Sequence, residues 1–393
     1  MTLFTTTKNI KIGYISNSDP YSRRTWSGIP YYAIQSLNKH CGRVEYLGAM
    51  GTPLNFLGRI CNGLLSPVNL RYNYPHSKLV AKSYARKIEK RLRGKSFDVL
   101  LTHCTTDISY ISTKIPIVLY TDATLPLLMG YYAYFSKLFK WSINESLNTE
   151  YRALRNAAHI IYPSQWAAES AQKDYGIEES KISVVNYGAN LDQIPDKETV
   201  LKRKRSNSDK CKLLFLGVEW DRKGGPIAFE TLLKLNAMGI DAELVVVGCV
   251  PPVQFKNQKL TVIPFLNKNN LLDRNKFYEL LLQSNFLLLP TRSEAYGIVF
   301  CEASAFGLPS IATDTGGVSS VITQGQNGFL FPIHADSNEY AQCIGDIYNN
   351  KLQYNRLVSY SRDLYECRLN WDSWGIATKK IIEDVVASRQ NGF

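Results

Sequence analysis

The fold of this chain is decided by Asn285-Phe286-Leu287-Leu288-Leu289-Pro290 and the residues after it, Arg292-Ser293-Glu294-Ala295-Tyr296-Gly297-Ile298-Val299-Phe300-Cys301-Glu302-Ala303. The apolar run predicts a buried strand of a parallel sheet, ended by its proline. A polar loop then carries Glu294, Gly297 opens a tight turn, and the next residues begin a helix. Ligands of open α/β sheets bind at the carboxyl ends of the strands. Glu294 and Glu302 are therefore predicted to lie at a binding site.

Short apolar runs alternate with helical patterns along the rest of the chain, which is typical of βαβ units and parallel sheets. The pattern predicts an α/β protein with two Rossmann-like, doubly wound domains, at residues 1–195 and 208–372, and a final helix at 373–393. The stretch 191–210 between the domains, which includes the basic segment 202–210, is interpreted as a linker and solvated loop. Nucleic-acid binding by its Lys/Arg cluster is the alternative. The predicted strands are Ile10–Ser16, Val44–Leu47, Asp98–Thr102, Pro116–Thr121, His159–Pro163, Ile182–Asn186, Lys212–Gly217, Glu243–Val247, Leu260–Pro264, Phe286–Pro290, Ser310–Thr313 and Gly328–Phe331.

The two acids, with seven residues between them, resemble the E-x7-E signature of family-4 retaining glycosyltransferases. Three later segments resemble the next elements of that family: Ala305–Ser310, Asp314–Gly317 and Gly325–Pro332. The resemblance implies the GT-B fold, in which the two Rossmann-like domains face a cleft and the last helix crosses back to the N-terminal domain. Two surface acids on an ordinary βα unit are the alternative interpretation.

Composition limits the classes of partner and the compartment. The chain has 393 residues and a net charge of +12. That charge favours nucleotide phosphates, nucleic acid or an anionic membrane, although simple solubility explains it equally well. Eight cysteines without a Cys-x-x-Cys pair indicate neither a zinc site nor a disulfide framework. Residues 1–8 have no signal-peptide core. We expect a cytoplasmic protein without a nucleic-acid partner, with peripheral membrane contact as an alternative.

Two stretches are less regular. The segment 47–73 is rich in Leu, Gly, Pro and Asn, and its Leu and Phe side chains are expected to be covered by other parts of the protein. The segment 128–141 combines aromatic residues with Lys137 and Lys140. A helix with a core-facing aromatic stripe is one interpretation, and contact with a membrane, a lipid or the aglycone of an acceptor is the other.

A cationic turn opens the second domain. The predicted strand there leads into Asp221-Arg222-Lys223-Gly224-Gly225, and a helix begins near Pro226. An Arg fork and a Lys point charge suit the diphosphate of a nucleotide-sugar, whose charge increases as it leaves. The turn resembles the family's Lys-Gly phosphate loop, although Val218 stands where the family has an Arg. A basic surface turn is the alternative.

Three residues of the first domain are further candidates. Gly28 matches the glycine that the family places near the diphosphate. Asp122 follows a predicted strand, where relatives carry a His, and could position an acceptor hydroxyl, accept its proton, or cap a helix. His103 also lies at a strand end, where a structural role is the first interpretation and a catalytic role is the alternative. In the second domain, Thr313–Ser320 predicts another strand-to-helix turn suited to phosphate, but Ser320 replaces a Glu that family members commonly carry.

The resemblance implies a retaining transfer of a hexose-type sugar from a UDP- or GDP-linked donor to an acceptor hydroxyl in glycan biosynthesis. Glu302 would hold the ribose and Glu294 the transferred sugar, while Arg222 and Lys223 stabilise the leaving diphosphate. The chain contains no Asp-x-Asp, so we expect no metal and no cofactor beyond the nucleotide-sugar. The acceptor (glycan, lipid-linked or small molecule) is left open, as are a nucleotide-sugar epimerase and an inactive nucleotide-sugar-binding subunit. Backbone N–H groups would contact the donor from Ala295, Tyr296, Gly297, Ile298 and Val299.

Overall fold

The computed structural model describes residues 10–202 and 210–390. The predictions for residues 1–8 and for most of the basic linker, 203–209, lie outside the described residues. The chain divides into two compact units. The first comprises residues 1–185 together with the C-terminal segment from Trp371, and the second comprises Asn186–Asn370.

Each unit contains one six-stranded parallel sheet, and all twelve predicted strands are confirmed to within a few residues at their ends. The order is β2-β1-β3-β4-β5-β6 in the first unit and β12-β11-β10-β7-β8-β9 in the second. The strands are β1 Ile10–Ile15, β2 Gly42–Tyr46, β3 Val99–Thr102, β4 Ile117–Tyr120, β5 His159–Tyr162, β6 Ile182–Val184, β7 Cys211–Leu216, β8 Ala242–Val247, β9 Leu260–Ile263, β10 Phe286–Leu289, β11 Ser310–Thr313 and β12 Gly328–Phe331.

Helices connect the strands and cover the sheets. Strands β3, β4 and β10 are buried along their whole length, which explains why their sequences are unbroken apolar runs. The α-helices are α1 Ile29–His40, α2 Leu54–Leu65, α3 Lys78–Leu92, α4 Thr105–Ile108, α5 Leu125–Leu128, α6 Lys140–Asn156, α7 Gln165–Tyr175, α8 Lys197–Lys202, α9 Gly225–Ala237, α10 Leu271–Gln283, α11 Ile298–Ala305, α12 Ser337–Asn349, α13 Lys351–Cys367 and α14 Trp371–Gln390.

The last helix, α14, is an integral part of the first unit and packs on α1. Trp374 is fully buried and meets the ring of Tyr120 edge to face at 5.6 Å. The Ser36 hydroxyl donates to the Trp371 carbonyl (2.5 Å), and Asp372 accepts from the ammonium of Lys39 (2.8 Å). The first unit therefore consists of two segments that are far apart in the sequence.

Two sequence interpretations need correction. The stretch 128–141 is not one helix with an aromatic stripe: α5 ends at Leu128, a 3-10 turn follows at Ala133–Phe135, and Lys137 has a positive φ of 63°. The Leu and Phe residues of 47–73 are also not all covered, because α2 exposes several of them. Across the helices of the described part of the chain, none combines the length and apolar character needed to span a bilayer.

Candidate functional site

The second unit brings the predicted site residues to the point where its strand order reverses. From β7 the sheet continues to β8 and β9 on one side and to β10 on the other. Strands β7 and β10 are neighbours, but the connections after them lead to opposite sides of the sheet. This leaves a crevice at the carboxyl ends of the two strands, which is the usual ligand site of an open parallel sheet. The first loop carries Arg222 and Lys223, and the second carries Glu294.

A glycine allows these two loops to touch. Gly224 precedes α9 and has a φ of 77°, a left-handed conformation that side chains rarely adopt. A Cβ added there would lie 1.9 Å from the carbonyl oxygen of Pro290, at the end of β10. Only a residue without a side chain fits this contact, which places the cationic turn directly against the loop that carries Glu294.

Arg222 joins the two loops through hydrogen bonds of its side chain and its backbone. Its guanidinium donates to the Ser293 carbonyl (2.9 Å) and to the Glu219 carboxylate (2.5 Å). Its own carbonyl accepts from the backbone N–H of Arg292 (2.7 Å). The Arg222 side chain is 20% exposed, so it is held in place while part of it still faces solvent.

Lys223 and Glu294 form an ion pair between the loops. Their side chains are only 10% and 13% exposed. The stem of Lys223 lies over Gly217, where an added Cβ would come within 2.7 Å of its Cγ. The predicted phosphate-binding cation and the predicted sugar-binding carboxylate are thus direct neighbours, an arrangement that sequence reasoning did not foresee.

The helix α11 begins directly beside this pair. Gly297 precedes it with a φ of 92°, and a Cβ there would lie 3.2 Å from the Cγ of Glu294. Ala295 and Tyr296 are buried, and the Tyr296 hydroxyl donates to the Tyr187 carbonyl (3.0 Å). This loop can therefore offer a ligand backbone groups but not the Tyr296 phenol.

Glu302 lies about 7.5 Å along the axis of α11 from Gly297, as the helical rise of five residues requires. It is 4% exposed, and its Oε1 accepts from the ammonium of Lys268 at 2.6 Å. Burial raises the pKa of Glu302, and the charge and hydrogen bond of Lys268 oppose this shift. Lys268, which also lies 4.3 Å from the centre of the Phe277 ring, was missed because its loop contains no recognisable motif.

The turn after β11 differs from its prediction. Gly316 has a positive φ of 58°, and the backbone N–H of Gly317 donates to the Glu294 carbonyl at 3.3 Å. The expected helix is only a three-residue 3-10 turn, Val318–Ser320. So short a turn has no substantial macrodipole, which removes the predicted helix-terminus contribution to phosphate binding.

The first unit has a cavity of about 430 Å³ at the corresponding edge of its own sheet. The loops after β1, β3 and β4 line it and bring His103 and Asp122 together. No Lys or Arg occurs among the described residues of its lining. The lining consists of Asn17, Ser18, Thr25, Trp26, Pro75, His76, His103, Cys104, Thr105, Thr106, Thr121, Asp122, Ala123, Leu125, Leu128, Phe135 and Glu150.

Stacking and burial fix His103 in this cavity. Its ring stacks on the indole of Trp26 (5.2 Å between centroids, 15° between planes), and its Nδ1 shares a hydrogen bond with the Tyr14 hydroxyl (2.9 Å). Burial lowers the pKa of His103 to about 3, so the ring is neutral at physiological pH. Trp26 and Ser27 hold positive φ angles of 44° and 56°, a strained conformation of the kind that accumulates at functional sites.

Gly28 and Asp122 follow different strands of the first unit. Gly28 is buried, has a φ of 85° and directly precedes α1. Asp122 is half-buried in the loop after β4. Sequence reasoning identified His103 and Asp122 but missed Trp26 and Glu150, which are separated from them in the chain and follow no motif.

Comparisons with known proteins agree with this architecture. Residues 196–364 match the family described as glycosyl transferases group 1, and residues 36–193 match glycosyltransferase family 4. The chain is of the group 1, GT-B glycosyltransferase type. Sucrose-phosphate synthase from Thermosynechococcus elongatus superposes with a TM-score of 0.70 at 16% identity, covering 96% of this chain and 100% of that one. HepE of Anabaena, solved with UDP-glucose, gives 0.63 at 15% identity, with 96% and 100% coverage. These likenesses show the GT-B fold.

Among curated relatives, D-inositol 3-phosphate glycosyltransferase 2 of Catenulispora acidiphila is 24% identical over 253 residues, 59% of this GT-B chain and 58% of the relative. The matched part spans about half the length of the first curated relatives, between 36% and 58%. Because so much of each relative lies outside the match, the activities and substrates in their names are not assigned to this chain.

Proposed function

We propose that this GT-B protein is a retaining glycosyltransferase that moves a hexose-type sugar from a UDP- or GDP-linked donor to an acceptor hydroxyl. One observation supports this most: two loops and α11 gather Arg222, Lys223 and Glu294 at the strand-order reversal of the second unit. Two cations and a carboxylate there match a ligand with a diphosphate at one end and sugar hydroxyls at the other. HepE of Anabaena, which shares the fold, was solved in complex with UDP-glucose, and this is consistent with such a donor.

Each residue has a distinct role in the proposed reaction. The ammonium of Lys223 has three donors, so it can hold Glu294 and a phosphate oxygen at once. Glu294 then accepts hydrogen bonds from the sugar, while Arg222 neutralises the departing diphosphate. Glu302 accepts from the ribose hydroxyls, and the charge and hydrogen bond of Lys268 favour its ionised form against the effect of burial. Backbone N–H groups from Ala295 to Val299 contribute further contacts.

The bond between the anomeric carbon and the phosphate oxygen breaks through an oxocarbenium-like transition state. The acceptor oxygen forms the new bond on the same face, and its proton passes to the leaving diphosphate. Cationic side chains stabilise the developing charge, so the proposed mechanism needs no metal and no cofactor besides the donor. The absence of an Asp-x-Asp from the sequence supports this part of the proposal.

We assign the acceptor to the cavity of the first unit, where Asp122 orients the attacking hydroxyl. The side chains of Asp122 and Glu150 are acidic and His103 is neutral, whereas the chain as a whole carries +12. A lining without Lys or Arg among its described residues disfavours a phosphorylated acceptor and favours a neutral polyol or sugar. The curated relative named for D-inositol 3-phosphate would differ from this protein in that respect.

A thermal-shift screen against UDP- and GDP-sugars, followed by transfer assays with paired acceptors such as myo-inositol and inositol 3-phosphate, tests the proposal. A donor at 100 times its Kd should stabilise the protein by about 2.7 kcal/mol. Donor-dependent transfer with retained anomeric configuration, unaffected by EDTA and preferring the neutral acceptor, is expected. Interconversion of the donor sugar without an acceptor would indicate an epimerase, and binding without turnover an inactive subunit.

We expect the protein in the cytoplasm, acting in glycan biosynthesis.

A further inference from the structure

The helix α2 presents an apolar face to solvent. Phe56, Leu57, Ile60 and Leu64 are 67%, 54%, 46% and 77% exposed. At about 100° per residue they fall within an arc of about 100°, which is the stripe of an amphipathic helix. In a globular protein such a stripe normally faces the core. We call these four side chains the α2 stripe.

The opposite face of α2 is the one that packs on the protein. Gly58 is buried, and a Cβ there would lie 2.1 Å from the ring of Tyr74. The side chain of Asn62 exchanges two hydrogen bonds with the backbone of Tyr72 (2.7 and 3.1 Å), and the amide of Asn55 donates to the Tyr84 hydroxyl (3.3 Å). The helix is anchored by small and polar residues, so the exposure of the α2 stripe is a consequence of its sequence.

Positive charge is concentrated in the sequence segment that contains α2 and α3. Residues 48–97 contain ten Lys and Arg but a single acidic residue, Glu89. This segment therefore carries most of the net charge of +12. The neighbouring helix α3 contacts α2 and carries four cations on the side away from the core. These are Lys78, Lys82, Arg86 and Lys90, which we call the α3 cations.

Other cations of this helix have structural partners. The guanidinium of Arg91 donates to the carbonyls of Leu47 and Gly48 (both 2.6 Å), and the ammonium of Lys87 donates to the carbonyl of Gly51. They hold the loop before α2 in place. The α3 cations are exposed on the outer face of the helix, and the ammonium of Lys82 also lies 5.8 Å from the centre of the Tyr110 ring.

Aromatic residues extend this surface. Trp141 is 58% exposed and packs on Tyr72 (5.6 Å between ring centroids), next to the C-terminal half of α2. Indole rings favour the boundary between water and lipid headgroups. The combination of an apolar stripe, surrounding cations and a bordering Trp fits one kind of surface, the interface of an anionic bilayer.

We propose that the α2 stripe and the α3 cations together bind the surface of an anionic lipid bilayer, with α2 lying in the interface plane. The inference does not depend on the transferase activity, because it rests on a surface separate from the donor-site residues. It also relocates the membrane contact considered for 128–141 to α2, with Trp141 at its border.

Flotation with lipid vesicles tests the proposal on the whole protein. The wild-type protein should bind phosphatidylcholine vesicles containing about 30 mol% phosphatidylglycerol at an ionic strength of about 0.15 M, where exposed charges act over about 8 Å. Phosphatidylcholine alone should bind it about tenfold more weakly or worse. Phe56→Glu/Leu64→Glu should reduce binding to anionic vesicles by about tenfold or more, and Lys82→Glu/Lys90→Glu should weaken it and lower its salt dependence.

Matched controls lie in the second unit. Val253→Glu/Leu272→Glu changes two residues of similar exposure (79% and 77%), and Lys276→Glu/Lys351→Glu makes the same change in net charge as the lysine pair of α3. Both should bind vesicles as the wild type does. Equal binding by wild type and Phe56→Glu/Leu64→Glu, or no binding to either vesicle, would overturn the proposal. A lipid-free dimer that the same double variant dissociates would show instead that a second copy covers the stripe.

Discussion

Lys223 and Glu294, far apart in the sequence, form a largely buried ion pair that joins two loops at the strand-order reversal of the second unit. Removing one partner of such a pair leaves the other charge uncompensated, which costs more than the pair itself contributes. The same contact links the residue assigned to the phosphate with the residue assigned to the sugar. Mutations of this pair therefore test the site most directly.

Lys223→Ala should lower kcat by roughly 10²–10³, which is the cost of losing one preorganised donor to a developing anion. Lys223→Arg should restore part of the rate, because it keeps the charge. Lys259→Ala is the control, since Lys259 forms a more exposed pair with Asp241 (2.9 Å) in the same unit. Steady-state transfer rates measure all three, and near-wild-type turnover by Lys223→Ala would contradict the role assigned to this lysine.

Glu294→Gln should separate sugar transfer from nucleotide binding. Loss of charge-assisted hydrogen bonds to the sugar should reduce transfer about tenfold to a hundredfold. The affinity for UDP or GDP alone should change little, because the free nucleotide carries no sugar. Calorimetric titration with the nucleotide, together with the transfer assay, checks this. If both quantities fell equally, Glu294 would act on the nucleotide instead.

Lys268→Met should make nucleotide binding depend on pH. Burial raises the pKa of Glu302 and Lys268 lowers it, so removing the ammonium raises that pKa further. The carboxylate must be ionised to accept from both ribose hydroxyls, so the affinity should fall as pH decreases through this pKa and recover as pH rises. We expect a larger loss at a lower pH than at a higher pH.

Two comparisons make the Lys268 measurement specific. Glu302→Gln should bind nucleotide about 10–100-fold more weakly with little dependence on pH. Lys276→Met removes the charge of an exposed lysine on α10, the helix that follows the Lys268 loop, and should resemble the wild type. A Lys268→Met defect of the same size at both pH values would show that this lysine does not act through Glu302.

Asp107 gives a prediction about stability. It is completely buried, and among the described residues neither of its carboxylate oxygens has a hydrogen-bond partner at bonding distance. Burial raises its pKa to about 7, opposed in part by the amide groups of Asn17. The folded protein therefore keeps a proton that the unfolded chain releases between about pH 4 and 7, so this group makes the fold progressively less stable as pH rises through that range.

Asp107→Asn should remove this penalty. The variant should match the wild type near pH 4 and exceed it in unfolding free energy above pH 7, by at most about 4 kcal/mol. Glu150→Gln is a second test, because burial raises the pKa of Glu150 to about 7 as well, despite the hydrogen bonds it accepts from the Leu125 N–H (2.7 Å) and the Tyr175 hydroxyl. It should also gain stability as pH rises, but less than Asp107→Asn, because the pKa of a glutamate starts from a higher ordinary value. Calorimetric unfolding at several pH values measures both, and a stability gain independent of pH would refute the explanation.

The sequence predicts the sheets well because strands of a parallel sheet are buried on both faces and appear as continuous apolar runs. It also predicts that Arg222, Lys223 and Glu294 follow strands at one sheet edge. It could not show that Lys223 and Glu294 pair, because the contact depends on the close approach of Gly224 to Pro290. Lys268 escaped notice because charge in a loop between β9 and α10 looks like ordinary solvated polarity.

The α2 helix shows a different limit of sequence reasoning. Its periodicity reveals an apolar face and a polar face, and burial of the apolar face is the usual outcome. Here Gly58 and Asn62 provide the packing surface, since a glycine lets the backbone approach Tyr74 closely. The pattern indicates that two faces exist, but not which of them meets the rest of the protein.

Because α14 completes the first unit, the order of synthesis separates that unit from its final helix. A ribosome makes the whole of Asn186–Asn370 before Trp371 and Trp374 emerge. The second unit has all its strands available while α1 still lacks its partner. Nascent chains stalled before residue 371 should therefore expose the surface of α1 around Ser36 to chaperones, and the N-terminal unit should mature last.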